Sequence, residues 1–494
     1  MTPNLLARMF KTREANWRAG VASTLLILSM ATAIASEAQT YNLLARLVTG
    51  DGVMPRSLVQ GTDGNFYGVG AEGGHNGGGS IFKVSPAGTV TSLYIFCLME
   101  PCRDGYRPNG LVLARDGNFY GTTEGGGDAG GGVIFRVPPS GTVTTLYSFC
   151  AGLQFCTDGV APEGELIQGS DGALYGTTFH GGKHDGGTVF KITLSGVFTS
   201  LYSFCSQSPN CADGTNPTAG LVEATNGMFY GTTSRGGANC TIYSGCGTLF
   251  RISSTGVFTT LYNFCAQPNC ADGLFPETSL IQPVLDGKIY GTTSSGGQVN
   301  TTCPSGCGTV FKIASTGGAL TILHAFTNSE GAQVQNLMQA TDGSFYGTAL
   351  TGGSANLGTF FKMDSAGSVT VLFNFCDDAS CKLTFNPSGV MQATNGLFYG
   401  TTLGIGNGAV FTFGFPPFIR LSPSSGSVGT MVNIYGTDLS GATSVSFHGA
   451  PATFTILSAG EITTSVPAGA SFGSVTVTTP SATLVSDVVF RFTQ

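Results

Sequence analysis

The sequence predicts an all-β protein: a seven-bladed β-propeller closed by its N-terminal strand, followed by an immunoglobulin-like β-sandwich. Three observations predict it. First, phrases close to "DGNFYGTTEGG" (Asp116–Gly126) recur along the chain, and their tyrosines fall at Tyr67, Tyr120, Tyr175, Tyr230, Tyr290, Tyr346 and Tyr399, spaced by 53, 55, 55, 60, 56 and 53 residues. A period near 55 residues held seven times is the signature of a repeat architecture. Second, each period carries short apolar runs between turn residues, with no sustained helical spacing, which reads as four antiparallel strands per repeat. Third, the repeats are out of phase with the chain ends. A segment of the fourth-strand type, Tyr41–Leu47, precedes the first repeat, and the last repeat stops near Phe413 after three strands. The N-terminal segment thus completes the last blade and leaves no open edge.

Each element follows from local chemistry. Strand a is an apolar run such as Leu111–Leu113, and Asp116-Gly117 turns the chain back into strand b, Phe119–Thr123. Asp-Gly between apolar runs predicts a two-residue hairpin turn with both residues at positive φ. Phe119 and Tyr120 point to opposite blade faces, so each is expected to pack on a different neighbour. A glycine-rich loop leads to strand c ("GTVFKI", Gly187–Ile192), and a short turn to strand d ("TVTTLYSF", Thr142–Phe149), which alternates with period two. Turns a–b and c–d are tight and share one face. The longer b–c loops and d–a crossings share the other. Five crossings carry "DGxxP" at Asp51–Pro55, Asp104–Pro108, Asp158–Pro162, Asp213–Pro217 and Asp272–Pro276, which is turn chemistry.

Residues 1–38 read as an export signal, 39–414 as the propeller and 415–494 as the sandwich. The signal has a basic start (Arg8, Lys11, Arg13, Arg18), an apolar run from Gly20 to Ala35, and small-residue cleavage candidates ending at Ala35 and Ala38. At 16 residues the apolar run is short for a membrane span. Val475–Gln494 offers no hydrophobic tail for attachment. Glycine is abundant at 75 of 494 residues and charged residues make up 10%. Without residues 1–38 the chain has 17 basic and 26 acidic side chains, a net −9, which excludes a basic nucleic-acid-binding face.

All 14 cysteines follow the signal and form close pairs: Cys97/Cys102, Cys150/Cys156, Cys205/Cys211, Cys240/Cys246, Cys265/Cys270, Cys303/Cys307 and Cys376/Cys381. An even count behind an export signal predicts local disulfides on the long-loop face. Zinc ribbons use C-x-x-C, which none of these pairs has, so no metal and no cofactor is expected.

Chemistry is harder to find. Gly68–Gly73 fits GxGxxG but is followed by more glycine and a strand, not the helix a dinucleotide needs. Gly469–Gly473 fits GxSxG but sits on a sandwich turn without a partner histidine. The b–c loop "FHGGKHDGG" supplies His180, Lys183, His184 and Asp185, the most polar cluster in the repeats. Glu124, Asp128 and Arg235 occupy comparable loops. These seven are the sequence's ligand-site candidates, with a solvated loop as the plainer explanation. Glu163 and Glu165 pair as carboxylates around one glycine, but no partner for them shows in the sequence.

The recurring "DGNFYGTT…GG…GGTVFKI…SG…TLYSF" over about residues 40–413 resembles the GloVer tandem repeat of exported bacterial "choice-of-anchor" proteins. The resemblance implies a surface-associated protein and no particular activity. Repeat 6, preceded by "HAFTNSEGAQ" without a cysteine pair, and repeat 7, ending in "GAVFTF", depart from the pattern. From Pro416 the grammar changes after a Pro-Pro linker. Pro423–Gly429, Ile434–Gly436, Val445–Phe447 and Val466–Gly469 resemble an IPT/TIG domain, which implies a spacer or contact module. The expectation is an exported or cell-surface, non-catalytic interaction or adhesion protein, binding a surface protein or glycan. The alternatives are a carbohydrate-active hydrolase or lyase with its site on the long-loop face, and a purely structural surface component.

Overall fold

A computed structural model describes residues 40–493, apart from 153–154, 208–209, 241–245, 284–285, 377–384, 405–406, 415–418, 437–438, 459, 481 and 487–488. The proposed signal, the Pro416-Pro417 linker and Cys381 lie outside the described residues.

Seven antiparallel sheets form the propeller. Blade 2 shows the plan: strand a is Tyr106–Leu113, b Phe119–Gly125, c Val133–Val137 and d Thr144–Ser148, hydrogen-bonded in that order. Blades 1, 3, 4 and 6 repeat it from Val53 to Ile95, Ile167 to Ser203, Val222 to Asn263 and Ala332 to Asn374. In blade 5, strand a is reduced to a bridge between Ile281 and Tyr290. Blade 7 runs from Pro387 to Gly414, and the N-terminal strand Thr40–Arg46 is its fourth strand, with Tyr41 opposite Phe413 and Leu43 opposite Phe411. The predicted closure is therefore present.

The repeated phrase divides its labour residue by residue. The turn differs from the expected two-residue hairpin. The Ala114 and Asn118 backbones close a three-residue loop, the Gly117 N–H returns to the Ala114 carbonyl at 2.9 Å, and only Gly117 (φ +81°) is left-handed. The reason is the Asp116 carboxylate. It accepts the Asn118 N–H at 3.0 Å and the Tyr120 hydroxyl at 2.7 Å, holding Asp116 itself at ordinary φ. Burial and this bond push the Tyr120 phenol up to about 12.

Tyr and Phe do pack on different neighbours. Tyr67 of blade 1 lies 4.3 Å from Phe119 of blade 2, Tyr175 is 3.9 Å from Phe229, Tyr346 is 4.5 Å from Phe398, and Tyr399 of blade 7 is 3.8 Å from Phe66 of blade 1. Such aromatic pairs contribute about 0.5–1.5 kcal/mol each beyond their buried area. The next residue is glycine because strand c lays a phenylalanine over it: a Cβ on Gly121 would fall 2.5 Å from Phe135 Cζ, and one on Gly231 2.6 Å from Phe250 Cζ. The first threonine of "GTT" ties blades together. Thr122 donates to the Pro162 carbonyl of blade 3 at 3.2 Å, Thr177 to Ala219 of blade 4 at 3.2 Å, and Thr401 to Arg56 of blade 1 at 2.9 Å.

The DGxxP aspartates fasten the crossings. Asp158 accepts the Tyr147 hydroxyl at 2.8 Å and the Cys150 N–H at 2.9 Å. Asp213 accepts Tyr202 at 2.8 Å and the Ser206 and Gln207 N–H groups at 2.9 and 3.1 Å.

Six disulfides link the predicted pairs Cys97–Cys102, Cys150–Cys156, Cys205–Cys211, Cys240–Cys246, Cys265–Cys270 and Cys303–Cys307, and Cys376 is disulfide-bonded too. No described cysteine is free. Four of the second cysteines also shape the backbone. Cys102, Cys156, Cys211 and Cys270 are left-handed, at φ +49°, +47°, +53° and +51°. Their carbonyls accept the N–H of the DGxxP glycine, Gly105 at 3.0 Å, Gly159 at 3.0 Å, Gly214 at 2.8 Å and Gly273 at 2.9 Å. Each bridge therefore joins directly onto the turn that the aspartate fastens. These bridges belong to a chain that matures outside a reducing compartment. No helix among the described residues is long and apolar enough to cross a membrane.

The C-terminal sandwich stacks two four-stranded sheets. One holds Ile419–Ser422, Met431–Gly436, Glu461–Ser465 and Phe454–Ser458; the other holds Ala450–Ala452, Ser444–Phe447, Val475–Thr478 and Thr483–Val485. Val432, Ile434, Val445, Phe447, Val475 and Val477 alternate into their common core. Gly68–Gly73 lies largely in strand b of blade 1, Phe66–Glu72, and is followed by the single 3-10 turn His75–Gly77 and then a strand, not by the α-helix that holds a pyrophosphate. The Arg420 guanidinium donates to the Asp342 carbonyl in the a–b turn of blade 6. This is the face opposite the disulfides.

Candidate functional site

The strand-a segments of all seven blades surround one cavity of about 590 Å³. Its wall is built by a rule readable in each repeat. The residue before the crossing proline is left-handed: Met54, Arg107, Ala161, Asn216, Phe275 and Asn386, with Gln333 before Val334 in blade 6, all at φ between 52° and 57°. Such a conformation is costly for a side-chain-bearing residue and persists only when held from outside. Here the previous blade holds it. The Ala161 N–H donates to the Gly131 carbonyl at 3.0 Å, Asn216 to Gly186 at 2.8 Å, and Asn386 to Leu357 at 2.8 Å.

After this kink and the proline comes one side chain per blade, and each lines the cavity: Arg56, Asn109, Glu163, Thr218, Glu277, Gln335 and Ser388. All seven are polar. A second level includes Ser57 and Glu165. The Glu165 side chain reaches over Gly110 of blade 2, where an added Cβ would meet its Cγ at 2.8 Å, and its carboxylate accepts the Ser57 hydroxyl of blade 1.

The electrostatics of this ring are unlike those of the scaffold. Burial pushes the Glu163 carboxyl up to about 7; the charges of Glu124 and Glu277 add to the shift, and Arg56 opposes it. Burial also raises Glu165, against Ser57 and Arg56, and raises Glu277, against the Ser294 hydroxyl at 3.1 Å and the charge of Arg235. Arg56 is lowered by burial, countered by Glu124, Glu163 and Glu165. Perturbed carboxyls grouped in a cavity lined by convergent polar groups mark a functional site. Several polar oxygens on the cavity wall are also buried without a partner: Asn109 Oδ1, Thr218 Oγ1 and Asn336 Oδ1.

The seven candidates named from sequence divide. Glu124 and Arg235 do not line the cavity, but each acts electrostatically on a ring glutamate. Glu124 also pairs with Arg107 at 3.5 Å, and Arg107 with Glu72 at 2.7 Å. The other five are not brought into the ring. Asp128 uses its backbone N–H on Ser148, and Lys183 likewise on Ser203. Asp185 accepts the Gly181 N–H at 2.9 Å and shapes its own loop. His180 is held by backbone bonds to Val160, and the His184 side chain is exposed.

The cysteines are scaffold rather than site. Cys97, Cys102, Cys150, Cys156, Cys205, Cys211, Cys265 and Cys270 stand in the crossings, and none of them lines the cavity. Among the described residues, the groupings with metal-type spacing are built on disulfide cysteines, Cys240/Cys246/Cys265 and Cys97/Glu100/Cys102. Their sulfurs are already bonded in the pairs Cys240–Cys246, Cys265–Cys270 and Cys97–Cys102.

The sequence reading missed the ring. Glu163 and Glu165 stood without a visible partner, yet Arg56 and Glu277 are 107 and 114 residues from Glu163 in the chain. The available signal was the residue after each DGxxP proline, which is polar in every crossing that has the motif.

Fold and site together define a disulfide-bearing seven-bladed propeller with a polar axial ring and a C-terminal immunoglobulin-like domain. The chain belongs to the Gloeobacter/Verrucomicrobia repeat family, whose model matches residues 29–243 and 207–414, and an IPT/TIG domain model matches 416–492. No curated protein matches the chain. Among solved structures it is similar to the extracellular domains of two Bacteroides thetaiotaomicron proteins described as putative hybrid two-component systems. One is 11% identical with a TM-score of 0.51, covering 90% of this chain and 54% of that one. The other is 12% identical with a TM-score of 0.49, covering 82% and 46%. This chain therefore spans about half the length of either. It is also similar to a fungal alcohol oxidase of the AA5 family, at 14% identity and a TM-score of 0.50, covering 93% of this chain and 100% of that one. At such identities the likeness concerns the fold alone.

Proposed function

We propose that this is an exported, non-catalytic binding protein of the cell surface that receives a glycan in the axial ring, with the C-terminal domain as spacer or contact module. The observation that carries the reading is the convergence of one polar side chain from each of seven blades on a single cavity. Sugars are recognised by such rings of directional donors and acceptors around a preformed concavity. The held left-handed residues at the ring support a preorganised site, because rigidity lowers the ordering cost of binding. The disulfides and the basic, apolar N-terminal segment support export.

The test is a glycan array together with a polysaccharide-degradation screen on residues 39–494, run beside Glu163→Gln and Asn109→Ala. Binding that weakens about tenfold or more in the variants, without product release, is the expected result. Binding unaffected by both substitutions would remove the ring from the reading. One observation favours a second reading, a glycoside hydrolase or lyase: Glu163 and Glu277 are two carboxyls of one ring, both held above the usual range. Release of shortened oligosaccharides, abolished by Glu163→Gln, would establish it.

A further inference from the structure

We propose that the axial ring selects a ligand bearing a primary ammonium group, so that the glycan of the preceding section carries unacetylated amino sugars; the sugar part of this inference rests on that reading. The first support is the inventory of the cavity wall. Its acidic and basic side chains are Glu163, Glu165, Glu277 and Arg56, three potential negative charges against one positive. The second support is independent of charge. Asn109 is only 2% exposed, and its Nδ2 donates to the Pro162 carbonyl, a group that can only accept; Oδ1 is therefore the atom left over. That oxygen, and Asn336 Oδ1 of blade 6, are buried with no donor, and both belong to residues that line the cavity. Leaving such an acceptor unpaired is costly, and a ligand that donates recovers the cost. An ammonium offers three donors and a positive charge, meeting both deficits at once. A carboxylate or sulfate ligand meets neither.

Glu163 couples this recognition to pH. The charged groups acting on it come from several blades: Arg56 from blade 1, Glu124 from blade 2 and Glu277 from blade 5; Glu165 stands two residues further along its own segment, and Arg107 pairs with Glu124. An ammonium beside Glu163 favours its ionised form, so binding releases a proton where Glu163 is protonated in the free protein. The affinity of an amine that stays charged over this range then falls as pH drops below about 7.

The experiment is calorimetric titration of residues 39–494 with a glucosamine trimer, an N-acetylglucosamine trimer and spermidine, at pH 8 and pH 6. The expected result is that the free-amine trimer binds roughly tenfold or more tighter than the acetylated one. The trimer's advantage should shrink in Glu277→Gln, whose folding is checked by its thermal midpoint; the pH signature is read on spermidine, whose alkyl amines stay charged at both pH values and which should bind more weakly at pH 6 than at pH 8. Equal binding of the two trimers, or tighter binding of the acetylated one, overturns the ammonium inference and leaves the glycan reading standing. Binding of spermidine with neither trimer supports the ammonium site and overturns the glycan reading. Absence of binding by all three overturns the ammonium inference, and the glycan array then decides the other reading separately.

Discussion

Asp158 and Glu163 are five residues apart in one crossing, and they live in opposite environments. Asp158 is buried and saturated on one oxygen by the Tyr147 hydroxyl and the Cys150 N–H. Glu163 faces the cavity with acidic neighbours, and burial raises it to about 7. The same contrast repeats in blade 5 between Asp272, which accepts Tyr262 at 2.8 Å and the Ala266 N–H at 2.9 Å, and Glu277. Carboxylates before the proline fasten the chain. Those after it face the cavity, where burial raises them, at a cost to the fold. Stability given up in a cavity is the usual mark of a site made for something else.

Crossing 5, from strand d of blade 5 to strand a of blade 6 in a numbering by the blade each crossing leaves, sharpens the comparison. It has no cysteine pair, and the tyrosine–aspartate latch is replaced by His324 and Glu330, with Glu330 Oε2 3.1 Å from His324 Nε2 and accepting the Thr327 N–H at 2.9 Å. The carboxylate is the constant and the disulfide the variable. Chain length explains it: 13 residues separate Phe204 from Pro217 in crossing 3, but only 8 separate Phe326 from Val334. A shorter connection has less entropy for a bridge to remove.

The largest effect should come from reduction. Closing loops this short stabilises by about 2 kcal/mol per bridge, so reductant should lower the denaturation midpoint strongly. Hydrogen exchange should speed up around Cys97–Asp104, Cys150–Asp158 and Cys205–Asp213 and stay unchanged at Phe326–Val334. Faster exchange at crossing 5 would break the distinction. Next, Asp213→Ala leaves several buried donors unpaired and should cost about 3 kcal/mol in urea unfolding, whereas Glu330→Ala, less buried, should cost about 2 kcal/mol.

Smaller effects should have opposite pH signatures. Glu163 has a folded value above its unfolded one, so its ionisation opposes folding as pH rises from about 4.3 to 7. Glu163→Gln should therefore raise the thermal midpoint at pH 8 by an amount of order 1 kcal/mol, discounted for its contact with solvent, and leave it unchanged near pH 4. Glu330 runs the other way. Burial pushes it up, but the Thr327 N–H and hydroxyl and His324 outweigh burial and hold it low. Its contribution is present above the unfolded value of about 4.3 and lost as pH falls through the folded one, so exchange at crossing 5 should accelerate only in acid. The smallest effect belongs to Lys191→Ala, which removes a surface pair to Asp171 at 2.6 Å and should cost under about 0.5 kcal/mol by thermal melt.

Much of the scaffold was legible because its causes are local. Asp-Gly marks a turn wherever it stands, although the Asp116 carboxylate makes that turn three residues long rather than two. The aromatic pair after it alternates across a strand, so its two packing partners follow from strand geometry. The candidate site was poorly legible. His180, Lys183, His184 and Asp185 attracted notice because polar residues crowd one loop, yet their loop bonds are made largely to itself and to the adjoining strands and crossing. Arg56, Asn109 and Glu277 escaped notice because each stands alone in its repeat, and Glu163, noticed beside Glu165, showed no partner.

The sequence by itself determined the number of blades, the strand order, the closure by Thr40–Arg46 and cysteine partners such as Cys150 with Cys156 and Cys205 with Cys211, because period, phase and short-range spacing leave few alternatives. Only the tertiary structure decided that seven residues about 55 positions apart share one cavity, and that Glu165 reaches across Gly110 to Ser57. It also decided that a glutamate five residues from an aspartate latched by two donors faces a cavity shared with residues of other blades. The physical reason is common to all three. Burial, field and hydrogen-bond supply are properties of the space around a side chain, and in a closed ring that space is furnished by residues far away in sequence.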